Sequence, residues 1–345
     1  MIDCIVVGFG IAGVSVTAHL EALGKKVCVV DGSSVKASIV AGGMYNPVIL
    51  KRFSLAWNAD IQLTYAKSFY NDLENKLNVN LDTSFDIYRK FNSVKEQNTW
   101  FSKLDNPVLS KYMCPSVLDS PSKVIEGDFG FGKLKSTGRI EVARLIENYM
   151  NRLIKEDSFI NEDFNFDELV VNDNDVIYKN IKAKSIVFCE GYRLLKNPFF
   201  KDLPLIGNKG SYLIIECESL KLQDVLKSHF FLIPLGNNKY KFGATYEHHF
   251  KGLDHDLETK KQLIKEFEKL TEATYKVIDQ LTGVRPTVID RRPLVGQHNK
   301  HKSLYVCNGM GTRGIILAPT AGKLLVNNMV NGEPIPDEIS SNRFN

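Results

Sequence analysis

The chain opens with two short apolar runs separated by one amphipathic segment. Residues 4–7 and 27–30 are rich in valine and carry no charge, which is typical of parallel strands buried on both faces. Between them, apolar residues recur at helical spacing over 15–23, and Gly24 ends the repeat. The pattern predicts a strand, a helix and a second strand in that order.

Similar patterns predict the later elements of the chain. Helices are expected over 58–77, within 136–156 after a turn, over the charged segment 258–270, and over 319–330. Strands are expected within 85–91, 167–191, 211–220, 229–247 and 303–309. The triplet Gly236, Asn237 and Asn238 predicts a hairpin turn.

A glycine-rich turn joins the first strand to the first helix. Gly8, Gly10 and Gly13 have the G-x-G-x-x-G spacing, in which the glycines permit a tight turn, close approach of a pyrophosphate, and close packing of the helix on the strand. Asp31 ends the second strand, where an acid would hydrogen-bond a ribose hydroxyl and disfavour a 2′-phosphate. These residues predict a dinucleotide site and leave FAD and NAD both open.

Gly8, Gly191 and Gly309 each follow an apolar strand, although they are far apart in the sequence. In a doubly wound sheet, such strands lie side by side and their carboxyl ends face one crevice. A nucleotide domain assembled from separate segments favours FAD, since NAD domains are more often continuous. The predicted fold is α/β, with a discontinuous Rossmann-like FAD-binding domain and a second, strand-rich α+β substrate domain. The predicted segments are 1–80, 136–205 and 280–345 for the first domain, and 81–135 and 206–279 for the second.

Length, charge and cysteine usage fit an ordinary enzyme of two domains. The 345 residues carry a formal net charge of +4, which permits an anionic partner without requiring one. Four cysteines lie in predicted strands and are expected to be core residues: Cys4, Cys28, Cys189 and Cys307. No metal site is predicted, because His248 and His249 would face opposite ways on a strand and the other histidines have no partner at metal spacing.

No apolar run approaches the roughly 20 residues that cross a bilayer. The first strand begins so early that a signal peptide has no room within this sequence. A cytoplasmic protein without a membrane partner is therefore expected.

Five segments give the chain a resemblance that covers nearly its whole length. They are GFGIAG at 8–13, AGGMYNP at 41–47, IVFCEG at 186–191, GVRPTVIDRRPLVG at 283–296 and LYVCNGMGTRGIILAPTAG at 304–322. On these residues the chain resembles the FAD-dependent D-amino-acid oxidase superfamily, which includes glycine oxidase and sarcosine oxidase. The resemblance implies a glutathione-reductase-like FAD domain. It also implies oxidation of the C–N bond of a carboxylate-bearing amine, by hydride transfer to flavin N5.

The resemblance also implies roles for individual residues. Arg285, in the G-x-R-P motif, matches the arginine that binds the substrate carboxylate, and a planar guanidinium suits that task. Tyr246 is a candidate for the wall of the substrate pocket. The cofactor-binding candidates are Gly8, Gly10, Ile11, Ala12, Gly13, Asp31, Gly42, Gly43, Met44, Gly191, Gly311, Thr312, Arg313, Gly314 and Ile315. Among them, 42–44 would pass close to the isoalloxazine and 311–315 would lie at its pyrimidine edge. No catalytic acid or base is nominated.

One subfamily suggests a different substrate. GMGTRGIILAP at 309–319, GGMYNPVILKR at 42–52 and YKFGATYEHH at 240–249 resemble the FAD-dependent half of a bifunctional tRNA-modifying enzyme. That half removes the carboxymethyl group from carboxymethylaminomethyl-uridine at the wobble position. Basic clusters could contact tRNA, although such clusters are usually solvated faces: Lys51 with Arg52, Lys133 with Lys135 and Arg139, and Lys300 with His301 and Lys302. An NAD-linked dehydrogenase or a flavoprotein without catalytic activity would also fit the glycine-rich turn.

Overall fold

The computed structural model describes residues 1–32, 36–250, 252 and 256–344. The strands are β1 (Ile2–Val7), β2 (Val27–Val30), β3 (Met44–Tyr45), β4 (Val48–Ile49), β5 (Ser54–Leu55), β6 (Asp82–Lys90), β7 (Phe131–Ile140), β8 (Phe159–Ile160), β9 (Leu169–Val171), β10 (Val176–Tyr178), β11 (Ile181–Phe188), β12 (Leu205–Glu216), β13 (Val225–Lys227), β14 (Phe231–Gly236), β15 (Lys239–Gly243), β16 (Lys276–Val288), β17 (Leu294–Gln297) and β18 (Leu304–Asn308). The α-helices are α1 (Ile11–Ala22), α2 (Ala37–Val40), α3 (Ala59–Leu77), α4 (Val94–Lys103), α5 (Val142–Lys155), α6 (Leu257–Glu268) and α7 (Gly314–Asn331).

The first sheet has the strand order β17-β18-β11-β1-β2-β8. β1 pairs in parallel with β2 and β11, and β11 pairs in parallel with β18, so the carboxyl ends of these strands share one edge. Successive residues of β1 enter different cores, with Cys4 and Val6 on one face and Ile5 and Val7 on the other. Both faces are therefore covered, as the uninterrupted apolar runs of the sequence predict.

The second sheet has the strand order β16-β12-β15-β14-β13-β6-β7-β3. On one face, Leu213 and Phe242 pack with Leu263 and Phe267 of α6 in a single apolar core. The pleat sends the alternate residues of the same strands to the opposite face. That opposite face carries Asn208, Gly210, Tyr212, Ile233, Lys241 and Arg285.

Most predicted elements form close to their expected bounds. The helix expected over 58–77 is α3, and the charged helix expected over 258–270 is α6. Gly236 ends β14 at the predicted hairpin turn, which joins β14 to β15. The cysteines that were expected in the core are all buried: Cys4, Cys28, Cys189 and Cys307.

The last helix differs from its prediction because Pro319 lies inside α7 and does not begin it. A proline inside a helix leaves the carbonyl four residues earlier without its N–H donor. That carbonyl belongs to Ile315, and it accepts a hydrogen bond of 2.9 Å from the Tyr70 hydroxyl. The helix can therefore begin at Gly314, five residues before the proline. A contact between distant parts of the chain overrides the local signal.

The predicted domain boundaries do not follow the sheets. The boundary between 135 and 136 falls inside β7, and the boundary between 279 and 280 falls inside β16, both strands of the second sheet. The division into two domains stays a prediction. Among the described residues, no helix combines the length and the apolar character that a membrane span needs.

Candidate active site

The glycine-rich turn lies at the shared carboxyl edge of the first sheet. Gly8 has a φ of +89°, and a Cβ there would lie 2.7 Å from the carbonyl oxygen of Cys189. A Cβ on Gly13 would lie 2.0 Å from the carbonyl oxygen of Gly8. The turn thus packs too tightly for any side chain, as the motif predicts.

The N-terminus of α1 offers hydrogen-bond donors at this turn. The Ile11 N–H donates to Ser38 Oγ over 3.1 Å. Within the described part of the chain, the N–H groups of Ala12 and Gly13 have no acceptor. Free N–H groups at a helix N-terminus fit a pyrophosphate, so the turn suits the dinucleotide that the sequence predicts.

Asp31 lies beside this turn at the end of β2. Its carboxylate forms an ion pair with Lys36 at 2.9 Å. Burial raises the pKa of Asp31, and the ion pair with Lys36 opposes that shift. The sequence did not indicate this pairing with Lys36.

Glu190 and Gly191 follow β11 at the same edge. Burial raises the pKa of the Glu190 carboxyl to about 7, and Asn197 Nδ2 donates a hydrogen bond to it over 2.7 Å. Gly191 has a φ of +60° and open space beside its Cα, and its carbonyl accepts from Asn308 Nδ2. The ends of β11 and β18 are thereby joined where the sequence predicts the crevice.

The predicted loop at 311–315 connects the two sheets. A Cβ on Gly314 would lie 3.0 Å from Ile11 Cγ2, so this loop touches the start of α1. The Gly311 N–H donates to the carbonyl of Pro286 in β16. Arg313 donates to the carbonyl of Asn46 over 2.6 Å, and burial lowers its pKa. Thr312 is exposed, and Ile315 is buried.

The predicted loop at 42–44 lies on the second sheet. A Cβ on Gly42 would lie 2.7 Å from Ile233 Cδ1 of β14, and the backbone of Gly42 lies close enough to the Tyr212 phenol to lower its pKa slightly against the effect of burial. Gly43 has a φ of +67°, and Met44 begins β3 beside β7. The loop therefore lies against the face that α6 leaves uncovered.

Arg285 lies on this face, in a slot that β12 leaves for it. Both terminal nitrogens of its guanidinium would be 2.4 Å from a Cβ on Gly210, so the guanidinium fits in this position only because residue 210 is glycine. Nη1 donates to Asn208 Oδ1 over 2.8 Å and to the Thr245 carbonyl over 3.1 Å. The Tyr246 ring covers the guanidinium carbon at 4.4 Å. Tyr246 is 64% exposed, and Arg285 beneath it is partly buried.

Every contact of Arg285 among the described residues is with an uncharged group. Some other arginines that are half-buried or buried meet carboxylates, as in the ion pairs of Arg89 with Glu96 and of Arg152 with Glu21, whereas Arg313 meets backbone carbonyls. A guanidinium that is fixed in place and lacks a counter-ion is suited to bind an anion.

Sequence reasoning missed three residues on this face: Asn208, Tyr212 and Lys241. Lys241 is 8% exposed, and its ammonium donates to the carbonyls of Val40 and Ala41 over 3.0 and 3.1 Å. Burial lowers the pKa of Lys241 to about 8. The alternation of polar residues in β12 and β15 could have indicated that these side chains share one face. Without the register of the strands, however, it could not show which residues they contact.

The predicted residues thus form two groups, one on each sheet, and the loop at 311–315 contacts both. Gly8, Gly10, Ile11, Ala12, Gly13, Asp31 and Gly191 lie along the edge of the first sheet, whereas Gly42, Gly43, Met44, Tyr246 and Arg285 lie on the second. The loop at 311–315 contacts both groups through Ile11 and Pro286.

One member of the basic clusters and one histidine lie beside the candidate residues: Arg139 Cγ would be 3.1 Å from a Cβ on Gly43, and His248 Nδ1 is 3.3 Å from Asn208 Nδ2. Lys133 pairs with Asp86, and Arg139 pairs with Glu141, so part of the basic character of these clusters is neutralised. His248 and His249 are exposed. In the part of the chain that the structure describes, no group of three or more His, Cys, Asp or Glu side chains could hold a metal ion.

A family model described as DAO, FAD dependent oxidoreductase, matches residues 3–328. The chain belongs to the DAO family. Membership in the DAO family confirms FAD as the cofactor and an oxidoreductase as the enzyme class. It also decides between FAD and NAD, which the glycine-rich turn had left open.

Solved structures of similar fold agree with the DAO family. Glycine oxidase from Bacillus cereus ATCC 14579 has a TM-score of 0.79 and 20% identity, with 97% of this chain and 96% of that chain covered. Iminodiacetate oxidase (IdaA) from Chelativorans sp. BNC1 has a TM-score of 0.79 and 19% identity, with 98% of each chain covered. These similarities confirm the predicted α/β fold with its strand-rich second sheet.

A curated relative gives a shorter match. The tRNA 5-methylaminomethyl-2-thiouridine biosynthesis bifunctional protein MnmC of Thiobacillus denitrificans is 31% identical over 107 residues. The match spans 28% of this chain and 17% of that protein. It is similar to this chain over a limited segment only.

Proposed function

We propose that this DAO-family enzyme oxidises the C–N bond of a carboxylate-bearing amine of the glycine or D-amino-acid type. The observation that carries the proposal is Arg285, whose guanidinium is oriented by neutral groups and meets no carboxylate among the described residues. The names of two structural neighbours, glycine oxidase and iminodiacetate oxidase, describe substrates of this kind.

Arg285 would bind the substrate carboxylate. Nη1 is held by Asn208 and Thr245, which leaves the other N–H groups of the guanidinium for the anion. Tyr246 stacks on the guanidinium and would line the pocket beside the carboxylate. Fixing the carboxylate orients the C–H next to nitrogen, and such orientation lowers the barrier by removing the entropy cost of alignment.

The cofactor would lie along the two groups of predicted residues. The N–H groups of Ala12 and Gly13, which have no acceptor among the described residues, suit its pyrophosphate, and Asp31 suits its ribose. Gly42, Gly43 and Met44 would border the isoalloxazine, and Arg313 with its neighbours would place positive charge at the pyrimidine edge. FAD, when bound, supplies the hydride acceptor at N5. A substrate that enters as the neutral amine needs no strong base, and water would hydrolyse the imine product.

The test is anaerobic mixing of the purified holoenzyme with glycine, N-substituted glycines and D-amino acids. The expected result is bleaching of the visible flavin band by at least one of them. Arg285→Ala should lower kcat/KM on the order of 100-fold, because a charged contact is lost. Arg144→Ala, an exposed change on α5, is the matched control. Bleaching that Arg285→Ala leaves unchanged would refute the assignment of the carboxylate site.

The second candidate substrate is carboxymethylaminomethyl-uridine in tRNA. It is supported by the resemblance of 309–319 and by the match with the bifunctional tRNA-modifying protein. Its glycine-like carboxymethylamino group would use Arg285 in the same way. Flavin bleaching by the modified tRNA, and not by free amino acids, would favour it. A cytoplasmic location likewise stays a prediction.

A further inference from the structure

The partner that holds Arg285 is an amide where a carboxylate would fit. Asn208 lies directly opposite Arg285 in the register of β12 and β16. It is 2% exposed, and its Oδ1 accepts the hydrogen bond from Nη1 of Arg285 over 2.8 Å. Its Nδ2 lies 3.3 Å from His248 Nδ1, which engages the other end of the amide.

Aspartate has nearly the same shape as asparagine and would reach the same guanidinium. The difference between them is charge, since a carboxylate would neutralise Arg285 and compete with any bound anion. Elsewhere some of the less exposed arginines are paired with acids, as in Arg89 with Glu96 and Arg152 with Glu21. Asn208 orients Arg285 through a hydrogen bond and does not neutralise its positive charge, which can then bind an anionic ligand.

We propose that Asn208 is a specificity-determining residue, which positions Arg285 without neutralising it and so makes the site select a carboxylate. The inference rests on the proposed function, because it assumes that the substrate anion binds at Arg285. It predicts that the charge of residue 208, and not its shape, sets the preference for an anion over a neutral analogue.

The experiment compares acetate with acetamide as non-reacting ligands of the oxidised holoenzyme, with binding followed by perturbation of the flavin spectrum. The wild type should bind acetate more tightly than acetamide. Asn208→Asp should weaken acetate binding by about tenfold or more, while acetamide binding changes by less than about twofold. The melting temperature of Asn208→Asp should not fall, because a salt bridge replaces a neutral hydrogen bond.

Two further variants distinguish the effect of charge at residue 208 from the effect of its shape, and from the effect of added charge elsewhere on the protein. Asn208→Leu removes the orienting contact but adds no charge, so it should keep the preference for acetate even if both affinities drop. Asn180→Asp adds a carboxylate at an exposed turn and should leave both affinities unchanged.

The inference is overturned if Asn208→Asp binds acetate like the wild type, or if it loses acetate and acetamide equally. Arg285→Ala distinguishes this failure from that of the proposed function. If Arg285→Ala retains acetate binding, the carboxylate site itself is wrong. If Arg285→Ala loses acetate binding and Asn208→Asp does not, only the role of Asn208 is wrong.

Discussion

Replacing Gly210 with alanine tests how closely Arg285 is seated on β12. A Cβ at this position would lie 2.4 Å from both terminal nitrogens of the guanidinium and 2.6 Å from its central carbon. The backbone of Gly210 does not have a positive φ, so alanine is compatible with the strand. The three nearest atoms all belong to the end of the Arg285 side chain.

The size of the effect follows from these distances. An ordinary contact needs at least about 3.4 Å, so the guanidinium must move by about 1 Å. A misplacement of about 1 Å can cost a factor of about 100 in rate, so kcat/KM should fall about 10- to 100-fold, or about 1.4–2.7 kcal/mol. The stability of the fold should hold or rise by about 0.5 kcal/mol, since alanine restricts the unfolded chain.

The assay is a double-mutant cycle with Arg285→Ala. Steady-state kinetics are measured for Gly210→Ala, Arg285→Ala and the double variant on the substrate that bleaches the flavin. In the background of Arg285→Ala, the Gly210→Ala change should cost almost nothing, because the side chain with which it clashes is absent. Equal losses in both backgrounds, or unaltered kinetics of Gly210→Ala alone, would refute this account of how Arg285 is held.

Three more predictions concern the cofactor cleft and its loops. Gly13→Ala forces a Cβ within 2.0 Å of the Gly8 carbonyl, so the purified protein should hold little FAD by its absorbance ratio and should melt at a lower temperature. Glu190→Gln should remove a pH dependence of stability. Burial raises the pKa of the Glu190 carboxyl from 4.5 to about 7, so between these values the folded state retains a proton that the unfolded state has lost. The free energy of unfolding of the wild type, measured by urea denaturation, should therefore fall by at most about 3 kcal/mol as pH rises from 4.5 to 8. Lys241→Met removes the donor to the Val40 carbonyl and should weaken FAD binding several-fold by fluorescence titration, whereas the exposed change Lys239→Met should not.

Each of these has a result that contradicts it. A yellow Gly13→Ala protein with the wild-type melting temperature would mean that the turn tolerates a side chain. A pH profile that Glu190→Gln leaves unchanged would mean that another group titrates. Tight FAD binding by Lys241→Met would mean that the segment at 40–43 is held without the ammonium.

The cofactor end of the site could be predicted from the sequence because its geometry is local. Gly8, Gly10 and Gly13 lie within six residues, and their spacing together with the apolar runs around them predicts a strand, a turn and a helix. The expected tight packing is present at Gly8 and Gly13. The helix that begins at Gly314 could not be placed, because Tyr70 takes the carbonyl that Pro319 frees.

The sequence by itself predicted the dinucleotide turn, and its resemblance to a known family named Arg285 as an anion-binding candidate. Only the tertiary structure decided what surrounds Arg285, since Asn208 is 77 residues away along the chain and meets it through the register of β12 and β16. Local propensity carries no information on which residues of distant strands face one another. The environment that gives the guanidinium no counter-ion among the described residues is therefore a property of the folded sheet.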